Sequence, residues 1–272
     1  MIIISDKIVL TDSHCHLDFR EFDAEREILI ERCYQQGVER FIIPAITAER
    51  WPRVLGLCQR HPQAYPCLGL HPWWIEDATD EHLWLLEQFA AEEPLVAIGE
   101  IGIDGAIDDL DKQSHYFGAQ LTIANNQQLP VVIHHRKSHH LITPKLKQAK
   151  VTHGGVIHAF SGNYQQAMTY IDMGFKLGIG GTITYERAAK TRDAVSKIPI
   201  EAIVLETDAP ALPLNGFQGK HNSPEQLPRV LTSLAELRQQ DEVDLAKQIE
   251  MNVEQVFKLT QFNSEVSAQL TA

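Results

Sequence analysis

The stretch Ile8-Val9-Leu10-Thr11-Asp12-Ser13-His14-Cys15-His16-Leu17-Asp18 decides how the rest of the chain is read. Its apolar start predicts a buried strand, and two histidines follow at i and i+2. Side chains alternate faces along a strand, so His14 and His16 point one way and Ser13 and Cys15 the other. Two neutral imidazoles side by side at a strand end suit one divalent metal. Two surface histidines near a chain start would give the same letters, so later segments must arbitrate.

Working outward, eight apolar segments recur: Ile8–His16, Arg40–Ile46, Ala64–His71, Leu95–Asp104, Leu129–Arg136, Gly155–Phe160, Phe175–Gly181 and Ala202–Asp208. Amphipathic stretches lie between them, among them Ala24–Gln36, Ala48–Arg60, Asp80–Glu92, Lys112–Gln128 and Gln165–Met173. Near-continuous apolar strands alternating with helices predict a parallel sheet buried on both faces. Eight such units in 272 residues predict a (β/α)8 TIM barrel, a fold of about 250 residues. A doubly wound open sheet would carry a glycine-rich turn after its first strand, and none is present. No repeat, low-complexity tract or linker interrupts the chain, so 1–272 reads as one barrel domain.

The punctuation agrees. Asn222-Ser223-Pro224-Glu225 looks like a helix start, and Leu227, Val230, Leu231, Leu234 and Leu237 then keep helical spacing. Pro144 predicts a broken or late-starting helix after the fifth strand. Residues 243–260 read as a closing helix with Leu245, Ile249, Val253, Val256, Phe257 and Leu259 inward.

Ionisable residues end these apolar runs. Strand one ends in His14 and His16, strand three in His71, and strand four passes through Glu100. Strand five ends in His134-His135-Arg136, strand six in His158, and strand eight in Glu206-Thr207-Asp208. In a parallel barrel these ends meet on one face, where barrel enzymes keep their active sites. Charged groups at buried strand ends need partners or a metal. His14, His16, His134, His158, Glu100 and Asp208 exceed the needs of one ion and suit two divalent ions bridged by a carboxylate. Alternation puts His134 with Arg136 and leaves His135 outward and structural. Glu206 shares a face with Asp208, where it either supports a ligand or meets substrate. His71 is held by Pro72 or serves as a general acid. His61, His82, His115, His139, His140 and His153 are expected at the surface. Gly178–Thr182 either offers N–H groups to an anion or packs closely at the barrel mouth, and Arg187, Lys190 and Arg192 follow it.

Composition bounds the rest. No apolar run approaches the ~18 residues of a membrane span. Met1-Ile2-Ile3-Ile4 runs at once into Ser5-Asp6-Lys7, too short and polar for a signal peptide. Cys15, Cys33, Cys58 and Cys67 form no CxxC or disulfide pattern, which predicts free thiols and a cytoplasmic setting. The net charge is −12, but residues 131–230 hold 12 of the 24 Lys/Arg and only 7 of the 36 Asp/Glu. That segment carries +5 and the remainder −17, so a basic surface able to meet phosphate is compatible with an acidic chain. Basic helices simply facing water would give the same pattern.

With these residues in place the chain resembles the TatD family of metal-dependent hydrolases. DSHCHLD (12–18), GLHP (69–72), GEIGID (99–104), LPVVIHHR (129–136), GVIHAFSG (155–162) and LETDAP (205–210) occur in family order. GGTITYERAAKTRD (180–193) and PLNGFQG (213–219) resemble its YjjV-type branch. The resemblance implies a barrel with one or two divalent metals, in a family that includes DNases acting as 3′→5′ exonucleases. It places metal ligands on His14, His16, Glu100, His134, His158 and Asp208, and a catalytic or phosphate-contacting group on His71. Two features depart from the pattern: Gly105-Ala106-Ile107-Asp108-Asp109 replaces an aromatic pair, and position 211 is Ala.

The expected function is therefore divalent-metal-dependent hydrolysis of phosphodiester bonds in nucleic acid or a small diester, with metal-activated water as nucleophile. His14, His16 and Asp208 would hold one ion, His134 and His158 the other, with Glu100 between. Asp208 would orient the water, Arg136 meet the phosphoryl oxygens and His71 protonate the leaving group. Zn, Mn and Mg all suit this donor set. The rival readings are an ester or amide hydrolase, such as a D-aminoacyl-tRNA deacylase, and a binding protein with a structural metal. No lysine stands on strands four or five to bridge metals as a carbamate, which favours the TatD type of centre and leaves ester chemistry open to it. No obligate protein partner is indicated.

Overall fold

Eight strands pair in parallel, each with the next in chain order. They are β1 (Leu10–Asp12), β2 (Val38–Pro44), β3 (Ala64–Leu68), β4 (Ala97–Asp104), β5 (Val131–Arg136), β6 (Gly155–Ile157), β7 (Phe175–Ile179) and β8 (Ile203–Leu205). The computed structural model describes residues 8–270; the reading of Met1–Lys7 falls outside them. Helices α1 (Arg26–Gln35), α2 (Trp51–Arg60), α3 (Asp80–Glu92), α4 (Leu110–Asn126), α5 (His139–Ala149), α6 (Tyr164–Ile171) and α7 (Ala189–Lys197) follow the strands in turn. After β8 come α8 (Leu227–Arg238), α9 (Glu242–Phe257) and α10 (Leu259–Leu270). This is the (β/α)8 barrel expected from the strand count.

The ring closes without a regular ladder between its ends. Ser13 N–H donates to Leu205 O at 2.9 Å and Asp208 N–H to His14 O at 2.9 Å. The Asp12 carboxylate adds a side-chain stitch, accepting from Thr207 N–H at 3.0 Å and Thr207 Oγ1 at 2.5 Å.

Alternation then sorts the interior into two storeys. Ile42, Tyr65, Cys67, Ala97, Val132, Val156 and Val204 form an apolar cluster with Val253, Val256, Phe257 and Leu259. Two residues further along β5, β6 and β8, the same inward face carries His134, His158 and Glu206. An apolar plug thus lies beneath a polar mouth. The strands are shorter than the apolar runs, because the residues bearing His14, His16, His71, His158, Glu206 and Asp208 have already left the ladder.

Several expectations need correction. Helix α5 runs through Pro144 without a break. The carbonyl freed by the missing N–H belongs to His140, an exposed residue that water can reach. The closing helix ends at Phe257, where Lys258 turns left-handed (φ 51°) and caps it before α10 begins. His61 is buried with Nε2 3.2 Å from Glu27 Oε1, and His139 is half-buried between Tyr170 Oη (2.9 Å) and Ser161 O (3.0 Å). All four cysteines are free. Among the described residues, no helix is long and apolar enough to cross a membrane.

Two glycines separate backbone necessity from chance. Gly155 has φ +152°, and a Cβ there would lie 2.0 Å from Val131 O on the neighbouring strand. Gly118 in α4 has nothing within 4 Å of the same added atom. In urea unfolding, Gly155→Ala is expected to lose about 3 kcal/mol or more from backbone strain and overpacking. Gly118→Ala is expected to gain up to about 1 kcal/mol from helix propensity.

Candidate functional site

The polar mouth centres on Glu100, brought in by β4 and almost wholly buried. Its Oε1 lies 3.2 Å from His71 Nε2, 3.2 Å from His134 Nδ1 and 3.4 Å from His158 Nε2. Its Oε2 lies 3.3 Å from His14 Nε2 and 3.6 Å from His16 Nε2. Asp208 Oδ1 completes the group, 3.6 Å from His14 Nε2 and 3.5 Å from His16 Nε2. All six residues assigned as ligands from the sequence are thus brought together, with His71 beside them.

What lies behind each imidazole fixes which nitrogen faces the cleft. His16 Nδ1 sits 3.1 Å from Pro44 O, and His158 Nδ1 sits 3.0 Å from Glu206 Oε1. Both neighbours only accept, so each Nδ1 carries a proton and each Nε2 is the nitrogen turned to the mouth, where a bound cation would displace its proton. His134 is reversed: Nε2 meets Asp104 Oδ2 at 3.3 Å, which turns Nδ1 inward. His71 differs in kind. Its Nδ1 accepts the Trp73 backbone N–H at 3.1 Å, so neutral His71 carries its proton on Nε2 and donates toward Glu100. Neutral His71 is a donor toward Glu100, whereas His16, His134 and His158 each turn to the mouth the nitrogen that a metal would take.

This arrangement fits a metal on its own evidence. His14 Nε2 and His16 Nε2 lie 3.3 Å apart, and the His14 and His158 rings stack at 3.7 Å. Ring nitrogens crowded in this way around the Glu100 and Asp208 carboxylates make a donor set suited to a cation. Ligand atoms converge in three groups: His14, His16 and Asp208; His14, Glu100 and His158; and His71, Glu100 and His134. The pairing of His134 with His158 read from the sequence is looser, their rings 6.0 Å apart on either side of Glu100 Oε1. The tautomer argument removes His71 from the ligands of the third group.

Electrostatics follow the same plan. Burial pushes Glu100 up, but His71, His14 and His158 outweigh it and hold the carboxylate well below its usual range. Burial pushes Asp208 up too, and His158 and His16 overcome it. Burial pulls His71 down to about 4 despite Glu100, which keeps the ring neutral.

Glu206 stands behind His158. It is buried, accepts from Ala159 N–H at 2.6 Å, and leaves Oε2 without a hydrogen bond. A Cβ on Gly178 would lie 2.0 Å from that oxygen, so the glycine-rich strand end is explained by close packing. Arg192 donates to Ile183 O, and Arg187 stacks on Tyr185 at 4.6 Å, so Arg192 is tied to its own loop. His135 turns toward the helices, its ring 4.6 Å from His139. Arg136 borders the mouth with its side chain 55% exposed.

Two acidic residues that the sequence reading did not single out each close an apolar run, Asp104 toward the mouth and Asp12 toward the outer face of the sheet. Asp104 supports His134 and also accepts Trp73 Nε1–H at 2.6 Å and Ala106 N–H at 2.8 Å. Asp12 supports the His14 turn and the seam to Thr207. The mouth opens into a cleft of about 510 Å³ bordered by Phe19, Trp73, Trp74, Arg136, Thr182 and Leu212. Asp108 and Asp109 of the acidic loop are exposed and do not border it.

Residues 11–258 match the family profile described as TatD related DNase. The chain belongs to the TatD family of metal-dependent hydrolases. The metal-dependent hydrolase YjjV of Escherichia coli K12 is 42% identical over 252 residues, covering 91% of this chain and 97% of that one. The crystal structure of YjjV, a TatD homologue from the same organism, superposes with a TM-score of 0.89 over 92% of this chain and 98% of that one. The TatD-family protein named 3′-5′ ssDNA/RNA exonuclease TatD, from Erwinia tasmaniensis, is 30% identical over 91% of this chain and 99% of its own length. A TatD-family hydrolase from Entamoeba histolytica at 17% identity (TM-score 0.80, covering 92% of this chain and 98% of that one) shares the fold.

The Asp12 carboxyl supplies a test of the seam. Burial pushes it up to about 8 from an ordinary 3.8, against the hydrogen bonds of Thr207 and His14. A folded-state pKa above the unfolded one means the native state holds the extra proton. Its contribution is therefore complete below about pH 4 and is lost as pH rises through about 8. In metal-free protein, Asp12→Asn is expected to flatten the wild-type decline in urea midpoint across that window. Parallel pH curves for the two proteins would refute the assignment.

Proposed function

We propose that this chain hydrolyses phosphodiester bonds in nucleic acid, working as one barrel domain with two divalent ions (Zn, Mn or Mg) at the mouth. The observation that carries the reading is the set of inward ring nitrogens of His16, His134 and His158 around the Glu100 carboxylate, open to a cleft that also holds an arginine and a proton donor. His14, His16 and Asp208 would hold one ion, His134 and His158 the other, with Glu100 shared. Ions held there lower the pKa of bound water from ~15.7 toward ~7 and offset charge on phosphoryl oxygens.

The protein's own groups do the remainder. Asp208 is ionised and beside His14 and His16, placed to orient the attacking water and take its proton on the carboxylate oxygen that would not hold the ion. The Arg136 guanidinium, 3.8 Å from Asp104 Oδ2, reaches the cleft to meet phosphoryl oxygens. His71 delivers its Nε2 proton to the leaving oxygen, and its Nδ1 partner keeps the ring in that tautomer. Glu206 keeps His158 aimed, which favours a supporting role over substrate contact. The 3′-5′ exonuclease name of the Erwinia relative supports nucleic acid as substrate. The free cysteines suit a reducing, cytoplasmic setting.

The test is degradation of defined single- and double-stranded oligonucleotides by protein reconstituted with Mn²⁺, Mg²⁺ or Zn²⁺, beside a panel of carboxylic esters that includes aminoacyl-tRNA. Metal-dependent shortening of the oligonucleotides is expected, and intact oligonucleotides with ester turnover would overturn the reading. Glu100→Ala or His158→Ala is expected to lower kcat by about 10³-fold or more without unfolding the barrel. His71→Asn is expected to lower kcat by about 10²-fold on a poor leaving group and far less on p-nitrophenolate, which needs no proton.

A further inference from the structure

Two adjacent tryptophans stand where the metal chemistry has no use for them. Trp73 and Trp74 follow His71 in a short 3-10 turn, Pro72–Asp77, and both border the cleft. They are 52% and 41% exposed, while Trp51, the largest buried side chain, is 1% exposed. Burial in a core therefore does not account for them, and solvated indole is unfavourable surface. Their rings lie 5.9 Å apart at 46°, and each stands against the His71 ring, at 5.5 Å and 5.3 Å.

The pair is also held in place. Trp73 gives its indole N–H to Asp104, the same carboxylate that supports His134. A polar handle satisfied inward leaves a flat apolar ring presented to the cleft at little entropic cost. Arg136 stands beside it, its guanidinium near the same Asp104 oxygen. Flat aromatic surface, an exposed cation and a site for phosphoryl chemistry lie within one cleft. That combination matches the parts of a nucleotide: base, backbone charge and scissile diester.

We propose that Trp73 and Trp74 form a stacking platform for the base next to the scissile phosphodiester, with Trp74 the freer face and Trp73 the anchored one. The proposal rests on the phosphodiesterase reading and adds to it the part of the substrate that sets affinity. A base can lie on indole only after leaving its own stack, so the platform selects unpaired strands. Every base has a π face, so it selects without regard to sequence.

The experiment uses metal-reconstituted full-length protein and two strands of equal length, oligothymidylate and the same backbone with abasic residues. In the wild type the abasic strand is expected to have a KM about 10- to 100-fold above that of oligothymidylate. In Trp74→Ala that ratio falls toward one, because KM for the base-bearing strand rises while kcat moves little. Trp74→Phe restores most of the difference. Trp84→Phe, on the exposed face of α3, serves as the control and leaves the ratio alone. A second readout needs no turnover: oligothymidylate quenches tryptophan fluorescence in the wild type, and the abasic strand does not. Quenching without cleavage sinks the phosphodiesterase reading and upholds the platform. Cleavage with equal KM values for the two strands, or an undiminished ratio in Trp74→Ala, overturns the platform and leaves the hydrolase reading standing. Absence of both quenching and cleavage removes both.

Discussion

One ionised carboxylate, almost wholly buried at the floor of the cleft and facing five imidazoles, constrains the whole mouth of the barrel. Burial alone would neutralise Glu100; the surrounding ring nitrogens keep it charged. Three of those rings, His16, His134 and His158, are aimed by a further set of acceptors, Pro44 O, Asp104 and Glu206, and His71 by the Trp73 N–H. Ala159 and Asp208 both adopt left-handed backbone at strand exits (φ 46° and 57°). Such residues cost about 1 kcal/mol or more each and persist where the surroundings over-determine them. Here Ala159 N–H is turned onto Glu206, and Asp208 N–H onto His14 O. The apolar plug of Val132, Val156 and Val204 beneath is what makes the local medium dry enough for these arrangements to matter.

The barrel and the six convergent side chains were legible in the sequence for a simple reason. A parallel strand buried on both faces writes itself as an uninterrupted apolar run, and a charged residue closing such a run is conspicuous. His14, Glu100, His134, His158 and Asp208 all announce themselves in this way. Asp104 and Asp12 carry the same mark but read as parts of motifs, and nothing local says that one supports His134 and the other the seam to Thr207. Other features were not legible because they depend on partners distant in sequence. Nothing local says that Glu206 lies behind His158, since that requires Gly178 to leave room for its carboxyl. Helix α5 survives Pro144 because the affected carbonyl faces water, a fact of solvent exposure. The tautomer of His71 is decided by a backbone N–H two residues on, which only the turn of chain at Pro72–Asp77 brings round.

The floor and the rim of the cleft carry different information. The floor is made from residues that TatD-family motifs bring together, and its chemistry belongs to the family. The rim is made from Trp73, Trp74, Phe19 and Leu212 on the segments between strands and helices, with Arg136 at the end of β5. Reaction type is therefore set by strand ends and substrate choice by the loops beyond them, the division of labour usual in barrels.

The seam between β1 and β8 has a consequence for how the protein is born. Asp12 and Thr207, like His14 and Asp208, join positions nearly two hundred residues apart. Contacts of such sequence separation form late, after the loop entropy of the intervening chain has been overcome. A nascent polypeptide emerging N-terminus first holds His14 and His16 early and Asp208 only when three-quarters of it has been synthesised. The carboxylate and imidazole cluster is therefore complete only with the final strand, and unfinished chains lack it.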